Sequence, residues 1–185
     1  MLTLILGGAR SGKSRLAQHL ANSAARVTYV ATARPGEDAV LDAEMSARIA
    51  HHRASRPAWW QTIEEPLDLA AAVERAAIDA EVILVDCLTI WLSNIFWAHR
   101  DDAPQEIEHA LHTSLGRISA TAQLRHVILV SNELGSGTVP EFAVTRSFRD
   151  VQGLLNQWAA AAADQVILTV AGLPLYLKRP GESIQ

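Results

Sequence analysis

Cysteine is nearly missing from this chain: Cys87 is the only one in 185 residues. One thiol excludes a disulfide framework within the chain and any cysteine-rich zinc cage. Charge of one sign is also missing. Sixteen Lys and Arg stand against twenty Asp and Glu, a net charge of −4. No overall basic field argues for nucleic acid as a partner, although a local anion site stays open. Long apolar runs are absent too. None reaches the roughly 18–20 residues needed to span a bilayer, so no stable membrane insertion is expected. The N-terminus is apolar only from Leu2 to Leu6 before it turns to glycine and charge, which does not read as a signal peptide. Hydrophobic residues make up 49%, ordinary for a globular protein and too many for disorder. Internal repeats, low-complexity tracts and a convincing domain boundary are lacking. The length suits a single domain over residues 1–185, expected in the cytoplasm.

What is present is an alternation of short apolar runs and helical patterns. Strands are expected at Thr3–Leu6, Val27–Ala31, Trp60–Glu64, Val82–Val85, Val127–Val130 and Val166–Val170. Helical periodicity covers Lys13–Ala21, Leu67–Ile78, Leu88–Ala98, Gln105–Leu124 and Phe148–Ala163. A further helix is expected from an N-cap at Asp42 to about Arg53, with Met45, Ile49 and His52 on one face. Continuous apolar strands alternating with helices predict an α/β fold, a mainly parallel sheet covered by helices on both faces.

Gly7-Gly8-Ala9-Arg10-Ser11-Gly12-Lys13-Ser14 matches the phosphate-loop pattern G-x-x-x-x-G-K-[ST] in full. Glycines let the backbone fold into a concave nest whose N–H groups face an anion, and the following helix adds the positive end of its dipole. Lys13 would reach the β- and γ-phosphates, and the Ser14 hydroxyl would bind Mg²⁺. The motif lies between a strand and a helix, the context it requires. Asp86 closes an apolar strand and reads either as the second Mg²⁺-holding oxygen or as an N-cap for the helix from Leu88.

The helix carrying His51-His52-Arg53 raises a separate question. His52 shares the inward face with Met45 and Ile49, whereas His51 lies about 100° round. An inward histidine is either a satisfied core residue or a nucleophile able to hold a phosphoryl or nucleotidyl group. Arg53 and Arg56 are either surface charge or donors to phosphate oxygens.

Several blocks together carry a resemblance. They are the phosphate loop, Tyr29-Val30-Ala31-Thr32-Ala33, Asp42-Ala43-Glu44-Met45, and Arg48-Ile49 leading to His52 and Arg56-Pro57. Trp60-Gln61-Thr62-Ile63-Glu64-Glu65-Pro66, Asp86-Cys87-Leu88-Thr89, Ser131-Asn132-Glu133-Leu134-Gly135, Val139-Pro140-Glu141, Phe148-Arg149-Asp150 and Asn156-Gln157 continue it in order. The chain resembles the bifunctional adenosylcobinamide kinase / adenosylcobinamide-phosphate guanylyltransferase family of cobalamin biosynthesis, from about residue 2 to residue 172. The phosphate loop is generic, whereas R-I-x-x-H-x-x-x-R-P and W-x-T-x-E-E-P are distinctive.

The resemblance implies a RecA-like phosphate-loop fold and a homotrimer. It implies phosphorylation of adenosylcobinamide by ATP or GTP. GMP would then move from GTP, through a covalent GMP-histidine, onto adenosylcobinamide phosphate. The histidine falls on His52, and Lys13 is the other catalytic candidate. The implied nucleotide contacts are Gly7 to Ser14, Thr32, Ala33, Arg34, Arg53, Ala54, Ser55, Arg56, Glu64 and Asp86, with Ser14 and Asp86 on Mg²⁺. Arg34 lies in the loop Ala33–Leu41, which varies in length across the family. Glu64 would accept hydrogen bonds from a guanine N–H edge or a ribose hydroxyl; read alone, it is an exposed acid at a strand end. A single-activity phosphate-loop kinase without a covalent intermediate is the competing reading, and a non-catalytic nucleotide switch is a third.

Overall fold

Alternate residues of each apolar run are buried against opposite layers, as the two-residue period of a strand requires. The structure is a computed structural model that describes residues 1–33, 56–100 and 102–181. Its strands are β1 (Leu2–Gly7), β2 (Val27–Ala31), β3 (Gln61–Glu64), β4 (Val82–Asp86), β5 (His126–Asn132), β6 (Gln165–Val170) and β7 (Leu173–Lys178). They form one seven-stranded sheet in the order β3-β2-β4-β5-β1-β6-β7. Neighbours are parallel except β7, which runs antiparallel to β6. The described helices are α1 (Lys13–Ala21), α2 (Leu69–Ala76), α3 (Leu88–Ala98), α4 (Pro104–Ala122) and α5 (Ala143–Ala162).

The two layers divide the strand residues cleanly. Leu2, Leu4, Ile83, Val85, Val127 and Leu129 pack with Leu69, Trp91, Leu111, Ile118 and Leu155 of α2 to α5. Ile5, Val82, Leu84, Ile128 and Val130 pack on the other side with Ala17 and Ala21 of α1. The expected class is therefore observed: α/β, mainly parallel, helices on both faces. The helix expected from Asp42 to about Arg53 lies outside the described residues.

Three local differences have physical causes. α2 is shorter than Leu67–Ile78 because Asp68 caps it, its side chain accepting from Ala71 N at 3.1 Å. α5 begins at Ala143 rather than Phe148; its first residues are exposed, so apolar periodicity is legible only further in. β7 was not expected, since Pro174 interrupts its apolar run. Proline cannot donate to a ladder and is tolerated on an edge strand, where β7 lies.

His126 opens β5 at the amino edge of the sheet, with Nε2 3.0 Å from Thr3 Oγ1. Burial, and then the Met1 ammonium, hold its pKa below the ordinary histidine value, against a smaller upward pull from Asp164. The unfolded chain thus takes up this proton more readily than the folded one. The associated stability is complete above about pH 6.5 and is lost as pH falls through the folded-state value. Urea unfolding midpoints between about pH 7.5 and 5 are expected to fall less steeply in His126→Gln than in the wild type. Identical pH profiles would contradict this assignment.

Candidate functional site

β1 ends at Gly7, where a side chain has no room. A Cβ there would run into Ser11 Oγ and Thr169 Oγ1 and stand 2.8 Å from the Thr169 carbonyl oxygen. The chain then coils through residues 8–12, with positive φ at Arg10 (55°) and Gly12 (99°). Such reversals turn successive N–H groups toward one concavity. Ser11 N donates to Gly8 O at 3.2 Å, and Leu16 N to Gly12 O at 3.0 Å as α1 begins. No acidic side chain occupies the first turn of α1, so the positive end of its dipole is not neutralised locally. Lys13 folds back, its Nζ donating to Gly8 O at 2.9 Å. Burial lowers its pKa, while Cys87 and Asp86 nearby pull the other way. The result is a partly desolvated cation above an amide-lined cradle.

Asp86 stands at the carboxyl end of β4, and β5 separates β4 from β1. Two strand spacings place the carboxylate and the loop strand roughly 10 Å apart. Asp86 shares the sheet face of Leu84, the side covered by α1. Its Oδ2 is buried and accepts no hydrogen bond. It does not cap α3: the N-cap residue is Cys87, and no side chain caps that helix. The Cys87 thiol is pushed up to about 12 by burial, and then by Asp86, so it is no thiolate at neutral pH. Tyr29 reaches Asp86 from β2. Burial first, then the Asp86 charge and its hydrogen bond, drive the phenol far above its usual range, keeping it a proton donor.

Beside this pair lies a second group. The Arg56 guanidinium carbon sits 3.5 Å from the centroid of the Tyr29 ring, and its buried Nε has no hydrogen-bond partner. Arg56, Pro57, Ala58, Trp60, Thr62 and Glu64 line an open recess of about 320 Å³. Glu64 is exposed at the end of β3. Thr32 is fully buried: its hydroxyl donates to Cys87 O at 2.8 Å and accepts from Cys87 N at 2.9 Å. Asn94 Nδ2 fixes its carbonyl at 2.7 Å. Thr32 therefore locks the β2 and β4 ends together, which places Ala33 at the rim.

Gly7 to Ser14, Thr32, Ala33, Glu64 and Asp86 thus stand at the carboxyl ends of parallel strands, where open α/β sheets bind ligands, and Arg56 lies over the Tyr29 ring and lines the recess with Glu64. Arg34, His52, Arg53, Ala54 and Ser55 lie outside the described residues, as does His51. Among the described residues no group of three or more His, Cys, Asp or Glu could hold a metal. Ser14 and Asp86 supply one hydroxyl and one carboxylate, hard oxygen donors of the kind Mg²⁺ takes when substrate phosphates complete its shell.

Sequence reasoning missed two supporting groups, Thr169 and Gly172, and left the roles of Glu133 and Asn156 undecided. Thr169 and Gly172 contact the loop from β6 and the turn after it. Their one legible signal is a lone hydroxyl at the end of the apolar run Val166–Val170. Glu133 N donates to Gly7 O at 3.1 Å, tying the segment after β5 to the loop strand. The Glu133 carboxylate is spent on its own turn, accepting from Gly135 N at 2.6 Å. Asn156 Nδ2 donates to Asn132 O at 3.0 Å and its Oδ1 accepts from Ser131 Oγ at 2.7 Å, bracing the tip of β5.

Known proteins are similar to this chain along nearly its whole length. The family described as cobinamide kinase / cobinamide phosphate guanyltransferase matches residues 3–177. The bifunctional adenosylcobalamin biosynthesis protein CobP of Pseudomonas aeruginosa is 48% identical over 182 residues, 96% of this chain and 98% of that protein. Bifunctional adenosylcobalamin biosynthesis proteins named CobU, from Salmonella typhimurium and Escherichia coli, are 40% and 38% identical. Each comparison covers 96% of this chain and 100% of the relative. With a phosphate loop at the end of β1, an acid at the end of β4 and similarity along nearly its whole length, the chain belongs to the cobinamide kinase / cobinamide phosphate guanyltransferase family.

Proposed function

We propose that this enzyme performs two successive transfers onto one corrinoid. In the first, the aminopropanol hydroxyl of adenosylcobinamide attacks the γ-phosphorus of ATP or GTP; the hydroxyl proton leaves and a nucleoside diphosphate is released. In the second, an imidazole nitrogen of His52 attacks the α-phosphorus of GTP, and a P–N bond forms as pyrophosphate departs. A phosphate oxygen of adenosylcobinamide phosphate then displaces His52, giving adenosylcobinamide-GDP and the free imidazole. The histidine must be neutral to attack.

The observation that carries this reading is the pairing of an amide-lined loop with a buried, unpartnered Asp86 oxygen across one strand. The loop amides and Lys13 bind and orient the triphosphate, and the N-terminus of α1 offsets its charge. Ser14 and Asp86 would hold Mg²⁺, which supplies neutralisation of phosphate charge when bound. Tyr29 keeps Asp86 aimed by remaining protonated. Arg56, with an Nε–H unspent, donates to a phosphate oxygen, and Arg34, Arg53, Ala54 and Ser55 belong to the same nucleotide contacts. Glu64, at the edge of the recess, accepts from the guanine edge or ribose. Thr32 acts through position, and Ala33 offers its backbone. A homotrimer is the proposed assembly and the cytoplasm the proposed location; among the described residues no helix is long and apolar enough to cross a membrane.

The test supplies the purified enzyme with adenosylcobinamide, ATP, GTP and Mg²⁺ and follows products by mass spectrometry. Adenosylcobinamide-GDP, together with a GMP-sized adduct on the protein when GTP is given alone, is expected. Phosphorylated corrinoid without any adduct or GDP product would leave only the single-activity kinase.

A further inference from the structure

We propose that Thr169 and the turn Ala171–Gly172 are positioning residues for the triphosphate, bracing the phosphate loop from the neighbouring hairpin. The proposal rests on reading residues 7–14 as the nucleotide cradle. β6 and β7 are joined by only two residues, Ala171 and Gly172, with φ of 51° and 82°. Two positive φ values in a two-residue connection define the tight hairpin turn whose twist matches its strands. This turn sits directly against the loop. Gly172 N donates to Ser11 O at 2.9 Å. A Cβ on Gly12 would lie 3.2 Å from Gly172 Cα, and one on Gly172 would lie 3.1 Å from an Arg15 guanidinium nitrogen.

Thr169 completes the brace from within the sheet, paired in register with Gly7. Its Oγ1 donates to Leu6 O at 3.0 Å. That uses its single hydrogen, so the 2.8 Å contact with Ser11 Oγ has Ser11 as donor. The hydroxyl chain therefore runs one way, from Ser11 through Thr169 to Leu6. Ser11 is held at its nitrogen by Gly8 O, at its hydroxyl by Thr169 and at its carbonyl by Gly172. Both hydroxyl-bearing residues are buried. Arg10, next to Ser11, holds a left-handed backbone that persists only where surroundings over-determine it. The brace supplies that determination, so the amides stay aimed before the nucleotide arrives.

The experiment compares wild type with Thr169→Val, Thr169→Ser, Gly172→Ala, Ile167→Val and Lys13→Ala. It measures ATP and GTP dissociation constants, kcat and KM for nucleotide and for adenosylcobinamide, and melting temperature. Thr169→Val keeps the side chain's bulk, loses both hydroxyl bonds, and is expected to weaken both nucleotides about tenfold while the corrinoid KM stays put. Thr169→Ser restores binding. Gly172→Ala weakens nucleotide binding in the same direction and keeps the test decisive if Thr169→Val folds poorly. Ile167→Val, a buried change in the same strand, lowers the melting temperature without moving nucleotide affinity. Unchanged affinity in Thr169→Val, failure of serine to restore it, or an equal loss in Ile167→Val overturns the brace. A Lys13→Ala protein that binds nucleotide normally overturns the cradle reading, and the brace with it. Loss in Lys13→Ala alone sinks only the brace.

Discussion

Lys13→Ala is expected to depress both half-reactions, each by about 10²–10³-fold, the loss typical of removing one preorganised charge-stabilising donor. The reasoning starts from position. Lys13 opens α1, folds back over the loop through Gly8 O, and is partly desolvated by burial. A cation with a thinned water shell interacts more strongly with an arriving polyphosphate than one fully hydrated. Both proposed reactions draw on the same cradle, so neither can bypass this ammonium. The check is two initial rates on one preparation: phosphorylation of adenosylcobinamide, and GMP labelling of the protein. A folded variant that retains full turnover in either would mean that two separate triphosphate sites exist.

His52→Ala is expected to produce a sharply divided result. Acid-labile labelling by radioactive GTP disappears and no adenosylcobinamide-GDP forms, while some kinase turnover persists. The division follows from chemistry. Phosphoryl transfer to a bound hydroxyl needs positioning and charge neutralisation, the roles proposed for the loop, Lys13 and Asp86, and no nucleophilic side chain. Nucleotidyl transfer through an enzyme-bound intermediate needs an atom to carry the GMP. The neighbouring His51→Ala is the control in sequence, and it retains the label. Label that survives in His52→Ala and vanishes in His51→Ala would move the nucleophile by one residue.

The parts legible in the sequence are those whose physics is local. The phosphate loop is eight consecutive residues, and its glycines, lysine and serine each answer a requirement met within that stretch. Asp86 was legible because an apolar strand ending in an acid has to surface at the sheet edge; the choice between metal oxygen and helix cap was not. The cap reading falls because Cys87 takes the N-cap position, and the orphaned carboxylate oxygen supports the proposed metal role; neither feature has a one-dimensional signature. The role of Thr169 was not legible, because its lone hydroxyl meets Ser11 across 158 residues. Tyr29 read as part of the strand Val27–Ala31; it is buried there, yet the far end of the same ring reaches Asp86. β7 went unread because its proline argues against a strand, and only its place at the sheet margin removes the objection.

The strand lying between β1 and β4 has a consequence for how this catalyst can drift. The span from glycine loop to acid is set by the width of β5, a repeat dictated by backbone hydrogen bonding and indifferent to side chains. Surface connections can lengthen, shorten or change sequence without altering that span. The parallel pairing of β4, β5 and β1 works as a ruler, holding the gauge of the chemistry constant while its surroundings vary.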